Sequence, residues 1–564
     1  MKTIFFFIFL IFLICSVYAT DSEYIVIRLN NPTPELISYI IENDYEIVSG
    51  QEMIYIDILI DDHLLGEFIE LGWEPEILFT ESEMRRNLVL RTRELAGYRS
   101  YTDVLDELTD IASDYPNIAS LYSLGISRGR EYYLAGNNNY AAYNHLIWGL
   151  KVTLDPSVEA DKPAVYYNGA HHAREPISVE VVMHILWHII DNYGTDPEIT
   201  FLVDNTEIWF IPMLNPDGHK LVFDEINTNW RKNIRDNYNT GTISTGDGVD
   251  LNRNYAHEWQ LNAQPTASNY GGPYPSSEPE TTALKNLWQE RQFVAGISYH
   301  SSGQLVLFPP GYTSGLISPD VQAQYALALE MAQSIPTVSG TGTYIAQHSW
   351  QLYPATGTCE DDSYCAHGIF AHTLELATLF IPPVDQIDQI CENNLEAALI
   401  LLRRGHYSTL TGILTDAQTQ EPIVAEIFID GIDNTGVYRA PYTSSEEYGR
   451  YFRLLLPGEY TVQFSAPGYI TSTPIYFSIN STTQTILDYQ LIPDIRPEIT
   501  SITVSEGIVT LQWNEIELAN GYIIYSALTP DTEDWDYVDF TTETEWSGYI
   551  ANDSIRFFRI TAVY

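Results

Sequence analysis

Residues 164–193 read "AVYYNGAHHAREPISVEVVMHILWHIIDNY". The first part, "AVYYNGA", is an apolar run ending in small turn residues, the pattern of a strand buried on both faces. After the turn, "PISVEVVMHILWHIIDNY" is apolar at helical spacing and opens on Pro176, which suits the first turn of a helix. A strand, a turn and a helix in that order are the repeating unit of an α/β sheet. The turn holds "HHARE", and Glu175 could pair with His171 four residues before it or with His172 three before it. These residues alone leave that choice open, and the pair by itself is weak evidence of a metal site, because 13 histidines among 75 acidic residues give about one His-x-x-Glu match by chance.

The same grammar continues on either side. "YTDVLDELTDIASDYP" predicts a helix, while "EIWFIPM", "VAGISYH" and "FAHTLEL" predict further buried strands. Residues 96–407 are therefore expected to form an α/β domain with a mixed, mostly parallel central sheet flanked by helices. Before it, residues 20–95 alternate short strands such as "EYIVIRL" and "MIYIDILI" with the helical "PELISYIIEND", the pattern of a small α+β unit. After it, residues 408–492 carry short alternating strands with turn signals, as a small β-sandwich does. The proline-containing "LIPDIRPEIT" leads to a second all-β module at 493–564, with Trp513 expected in its core.

The ends and the charge place the protein. "MKTIFFFIFLIFLICSVYA" has one lysine, an apolar run and a small-residue exit, so residues 1–19 read as a signal peptide and the mature chain as secreted. A lipid anchor at Cys15 fits less well, since Ile14 precedes it. Seventy-five acidic against 27 basic residues give a formal charge of −48, which argues against nucleic acid or anionic membrane as the partner. No later stretch is long and apolar enough to span a bilayer. Cys359 and Cys365 are close enough for a local disulfide, with buried free thiols the alternative, and Cys391 is left over. Arg85, Arg86, Arg91 and Arg93 are either a solvated helix face or a proteolytic boundary.

A catalytic zinc site needs three protein ligands and leaves the fourth position to water. A second histidine is required, and His300, closing the strand "VAGISYH", fits. His184 and His188 in "HILWH" have the spacing of a helical zinc motif, but Ile185 stands where that motif has its glutamate. They read as helix-surface or core histidines.

Seven separated motifs carry a resemblance: "HHARE", "NPDG" (215–218), "NWRKN" (229–233), "GVDLNRNY" (248–255), "SYHSSGQL" (298–305), "YPATG" (353–357) and "HTLEL" (372–376). In this order they resemble the zinc carboxypeptidases of the funnelin type, which include carboxypeptidases A, B and T. The resemblance covers about residues 98–407. It implies one Zn2+ held by His172, Glu175 and His300, with His171 packing beside them. It implies Glu375 as general base and Arg231 as the cation facing the oxyanion. Asn252, Arg253 and Tyr353 match the set that binds the terminal carboxylate of a peptide or protein substrate, and Arg174 and Ser301 match subsites for the chain upstream.

Two departures and one variable position bear on specificity. "NTNW" lacks the family's frequent arginine before the Trp-Arg pair, and Ser302 replaces an aromatic residue of the pancreatic members, which implies a more open upstream subsite. Counting on from Tyr353, the floor of the pocket for the last side chain falls at Glu360, beside Asp361 and Asp362. A carboxylate there favours C-terminal Lys or Arg; the alternative is that these acids face solvent. Residues 20–95 resemble the family's pro-region, which makes the arginine cluster an activation boundary. The first C-terminal module resembles a transthyretin-like regulatory domain. The last resembles a fibronectin type III domain that stops at its sixth strand, and cell-surface or glycan contact is a role open to both. Two rivals stand beside a secreted carboxypeptidase zymogen. An enzyme acting on cell-wall peptides should lack part of "NRNY", and a silent binding protein should lack a ligand or the base.

Overall fold

The computed structural model describes residues 22–564, except 44, 52, 90–96, 225, 262, 495, 531–533 and 550–555. The signal-peptide stretch, Arg91 and Arg93 lie outside the described residues.

The N-terminal unit is a four-stranded antiparallel sheet of β1 (Tyr24–Asn30), β2 (Glu46–Gln51), β3 (Tyr55–Asp61) and β4 (Glu76–Thr80), in the order β2-β3-β1-β4. Alternating Ile25, Ile27, Ile56, Ile58 and Ile60 pack with Leu36, Ile40 and Phe68 of its helices into a separate core. Arg85 and Arg86 lie in the last turn of the helix Glu81–Asn87, more than half exposed, and pair with Glu81 and Glu83.

The main sheet has eight strands: β5 (Ala119–Ile126), β6 (Leu146–Val152), β7 (Ala164–Asn168), β8 (Glu207–Ile211), β9 (Phe293–Ser301), β10 (Leu305–Phe308), β11 (Ile345–His348) and β12 (Phe370–Leu376). Their order is β11-β10-β12-β9-β7-β8-β6-β5. The pairs β7/β8, β7/β9, β9/β12 and β10/β11 are parallel and the other three antiparallel, so the sheet is mixed as the sequence implies. Strands β7, β8 and β9 are buried along their whole length. This is why they read as continuous apolar runs rather than alternations. Val165, Tyr167, Ile297 and Tyr299 face the helices Ile177–Asn192 and Val384–His406, whose Val182, Ile185, Ile189, Ala398 and Leu402 complete the largest core.

Two β-rich units follow, each of two small sheets. In the first, Thr409–Asp416 and Arg450–Leu454 face Glu426–Ile429, Gly458–Ser465 and Ile475–Ile479 across Leu410, Leu414, Ile427, Val462 and Phe464. In the second, six strands form two sheets of three, and Trp513 is buried edge-on against Tyr522. Cys359, Cys365 and Cys391 are buried free thiols, so the disulfide alternative does not hold.

Candidate zinc site and substrate cavity

The site lies where β7 and β9 end. Ordered α/β folds leave a crevice outside the carboxyl ends of parallel strands, and the turn after β7 and the end of β9 open into it. That turn carries His172 and Glu175 just before the helix Ile177–Asn192, and β9 carries His300. Among the described residues, His172, Glu175 and His300 form a buried group whose ligand atoms all lie within 4.8 Å of one another. His172 Nδ1 is 2.8 Å from Glu175 Oε1, and His300 Nδ1 is 3.0 Å from both His172 Nδ1 and Glu175 Oε2.

The outer ring nitrogens are held elsewhere: His172 Nε2 is 3.1 Å from Asp250 Oδ1, and His300 Nε2 is 3.1 Å from Ser298 Oγ. Both rings thus turn Nδ1 inward, toward the glutamate. Two imidazoles and a carboxylate converging with outer partners in place are the donor set of a catalytic zinc site, and the residues fit that ion. His171 contacts Asn168, Tyr255 and Ser298 and stacks on the His300 ring. It packs beside the group and is outside it. His184 and His188 sit on the far part of the helix, His184 reaching Glu392, and are not part of the group.

Glu375 stands beside His300 across the β9/β12 pairing and lines the same cavity. Burial pushes its carboxyl upward, against the pull of His300, and Glu175 adds to the rise; a cation bound at the triad pulls the other way. Arg231 is nearly buried and donates from Nε to Asp250 Oδ2 at 2.9 Å, with Nη1 3.3 Å from Glu46 Oε1. Burial lowers its pKa, but Asp250 and Glu46 outweigh burial and raise it above the ordinary arginine value.

Arg253 donates to the Tyr353 hydroxyl at 2.8 Å, and Asn252 Oδ1 accepts from the Cys359 amide at 2.8 Å. Arg174 pairs with Glu46, reaches Asn229 Oδ1 at 3.1 Å and lies over the Phe380 ring. The Ser301 amide donates to Glu175 Oε2 at 3.2 Å, and its hydroxyl to the Phe380 carbonyl at 3.1 Å.

Glu360, Asp361 and Asp362 all lie in the first turn of the helix Cys359–His367 and are at most 5% exposed, so the reading that they face solvent does not hold. They diverge in direction. Asp361 Oδ1 accepts from the Gly311 amide and Asp362 Oδ1 from the His257 amide, each at 2.8 Å. Glu360 lines the cavity, with Thr373 Oγ1 3.3 Å from its Oε2.

The chain matches the zinc carboxypeptidase family model over residues 104–397, a little over half of its length. The chain belongs to the zinc carboxypeptidase family. A zinc carboxypeptidase of Saccharothrix mutabilis subsp. capreolus is 32% identical over 295 residues, covering 50% of this chain and 62% of that one. Carboxypeptidase B of Astacus astacus is 28% identical over 318 residues, covering 54% of this chain and 96% of its own. Human carboxypeptidase D is 27% identical over 393 residues, and the match spans 66% of this chain but only a quarter of that protein. Two solved structures share the fold at 20% identity: carboxypeptidase A from Helicoverpa armigera, with a TM-score of 0.58, and thrombin activatable fibrinolysis inhibitor, with 0.56. Each comparison covers 68% of this chain and 98% of the other.

Two residues around this zinc carboxypeptidase site escape a reading of the sequence. Asp250 orients His172 and Arg231 together. Its signal was present in "GVDLNRNY", because a metal-binding histidine nearly always directs its outer nitrogen at an oxygen acceptor. Glu46 comes from β2, over 120 residues before the zinc motif, and no local pattern marks it. Its neighbours Ile47 and Val48 line the cavity, which retains about 40 Å3.

Proposed function

We propose that the chain is a secreted, zinc-dependent metallocarboxypeptidase, made as a zymogen, that removes C-terminal residues from peptides and proteins one at a time. The observation that carries this reading is the meeting, in one cavity, of the His172, Glu175 and His300 group with Glu375, Arg231 and Arg253. An endopeptidase has no use for a guanidinium at the end of its cleft. A free terminal carboxylate does, and Arg253 is its strongest partner.

Zn2+ held by His172, Glu175 and His300 supplies Lewis acidity toward the scissile carbonyl and acidifies water. Glu375 takes the proton of the attacking water and delivers it to the leaving amine, a task suited to a carboxyl raised toward neutrality. Arg231 faces the oxygen on which negative charge develops, and Asp250 fixes its direction. Arg253 and Asn252 seize the terminal carboxylate, and Tyr353, hydrogen-bonded to Arg253, closes over it. Arg174 and Ser301 receive the chain upstream. Glu360 on the floor of the cavity favours C-terminal Arg or Lys through a charge-assisted contact.

Residues 20–95 act as the pro-region. Glu46 lies between Arg174 and Arg231 as a carboxylate lodged where substrate would bind, and burial is outweighed by the two guanidinium groups, which hold it ionised. Domains at 1–19, 20–95, 96–407, 408–492 and 493–564 follow from this reading, the last two as transthyretin-like and fibronectin type III-like modules that serve stability or contact with a cell surface or glycan. Among the described residues, no helix is long and apolar enough to cross a membrane.

The test is hydrolysis of a matched peptide pair ending in Arg or Leu, by the full chain and by the chain after limited proteolysis near residues 85–93, with and without a zinc chelator. Chelator-sensitive release of the last residue alone supports the reading. Internal cleavage, or no release by zinc-loaded protein, overturns it.

A further inference from the structure

The helix Cys359–His367 has one end at the substrate cavity and the other clamped by the first β-rich unit. Thr358 and Glu360, at its N-terminal end, line the cavity. At its far end, the Tyr442 hydroxyl donates to the Gly368 carbonyl at 2.7 Å and the Ala440 amide donates to the Cys365 carbonyl at 2.7 Å. The Tyr364 hydroxyl, from the same helix, donates to Asp320 Oδ2 at 2.8 Å.

The clamp is buried and ionic. Arg439 and Arg453, from the β-rich unit, are at most 8% exposed and reach Asp320 of the catalytic domain at 3.1 and 3.2 Å. Asp433 accepts from both arginines, and their guanidinium groups lie over the Tyr442 ring, 4.1 and 3.9 Å from its centre. Gly368 ends the helix at φ +71°, and a Cβ there would stand 2.6 Å from the Tyr442 ring. Glycine is thus needed both for the left-handed turn and for the approach of the tyrosine. The loop before Arg439 is equally close, since a Cβ on Gly436 would meet the Ile317 carbonyl at 2.7 Å.

We infer that Tyr442, held by Arg439 and Arg453, is a positioning residue for the substrate pocket: it fixes the helix whose opposite end presents Glu360. A nine-residue helix is a short rigid rod, so displacement at Gly368 moves Glu360 with it. The first β-rich unit is in this view a wall of the catalytic domain that sets side-chain preference. This rests on the carboxypeptidase reading and on Glu360 as the pocket floor.

The test compares Tyr442→Ala, Tyr442→Phe and Glu360→Gln in the whole chain, before and after limited proteolysis. The readouts are kcat and KM for peptides ending in Arg and in Leu, and amide hydrogen exchange across residues 359–368. Tyr442→Ala is expected to lower the Arg-to-Leu ratio of kcat/KM about tenfold, mainly through KM for Arg, the size of one lost charge-assisted contact. It should also speed exchange in the helix, with Leu turnover nearly kept. Tyr442→Phe retains the ring that both arginines contact and loses the hydroxyl that reaches Gly368, and it should fall between wild type and Tyr442→Ala; it carries the comparison if the alanine variant does not fold. An unchanged ratio with unchanged exchange in Tyr442→Phe and Tyr442→Ala overturns the inference. If wild type hydrolyses neither peptide, the carboxypeptidase reading fails by itself, and exchange in the helix still decides whether Tyr442 holds it. A Glu360→Gln variant that keeps the wild-type ratio removes Glu360 as the residue being positioned and overturns the inference as well.

Discussion

His300 on β9 and Glu375 on β12 are register partners on adjacent parallel strands, each next to last in its strand. Partners in a ladder project from the same face, so backbone hydrogen bonding sets the separation of the proposed metal ligand and the proposed base without help from any loop. Glu375→Gln keeps the shape and removes the base. Its kcat should fall by about 10²–10⁴-fold with zinc content unchanged, as judged by steady-state kinetics and metal analysis of the same preparation. Near-normal kcat would exclude Glu375 from proton transfer.

Loss of a ligand should act on the metal first. His300→Ala leaves Glu175 with one imidazole and should lose zinc on dialysis that wild type survives. Asp250→Asn, which keeps the shape beside His172 Nε2 but removes the charge, is expected to weaken zinc binding by about 10–100-fold. Competition with a chelator of known affinity measures both; equal retention by His300→Ala and wild type would count against this ligand set.

Glu46→Ala tests the zymogen. Arg174 and Arg231 lose their shared carboxylate, and β2 loses its main polar attachment to the cavity. The uncut chain should gain peptidase activity, while the trimmed chain, lacking residue 46, is unaffected. A full chain already as active as the trimmed one would show that the N-terminal unit does not inhibit.

Glu360→Gln addresses preference directly. Release of C-terminal Arg should drop by about tenfold or more in kcat/KM, with Leu unchanged or improved, because only the cation gains from the carboxylate. The Arg-to-Leu ratio measures it, and an unchanged ratio would place specificity elsewhere in the cavity.

A pH effect on stability is expected away from the zinc site. Glu280 is buried, and burial together with Glu278 and Asp217 pushes its carboxyl up to about 8; it accepts from the Arg128 amide at 2.7 Å. A raised folded-state pKa means stability that is complete below the unfolded value near 4.5 and is lost as pH rises toward 8. The slope contributed is at most about 1.4 kcal/mol per pH unit. Glu280→Gln should flatten the fall in denaturation midpoint between pH 5 and 8 relative to wild type. Identical slopes would show that Glu280 ionises normally.

Much of this was legible in local pattern. The buried runs around Val165 and Ile297, the helix opened by Pro176 and the alternation before Asn30 announce their elements because burial on one or both faces is written directly into residue order. The motif residues from His172 to Glu375 could be assembled only through the resemblance that their seven motifs carry together, since each position alone reads as an ordinary turn or strand-end residue. Glu46, Tyr442 and the separate directions of Glu360, Asp361 and Asp362 could not. Three consecutive acids look alike in sequence, and helical geometry alone turns one toward the cavity and the others to the Gly311 and His257 amides.

The sequence by itself determined the order of strands and helices, the donor types available to the proposed zinc site and the acidic balance of the chain, because periodicity, donor type and charge are properties of residues and their neighbours. Only the tertiary structure decided that Asp250 and Glu46 share Arg231, that Glu360 and not its two acidic neighbours lines the cavity, and that a β-rich unit grips the helix bearing Glu360. Those relations join residues tens to hundreds of positions apart, and they arise when strand pairing and core packing bring separate segments together.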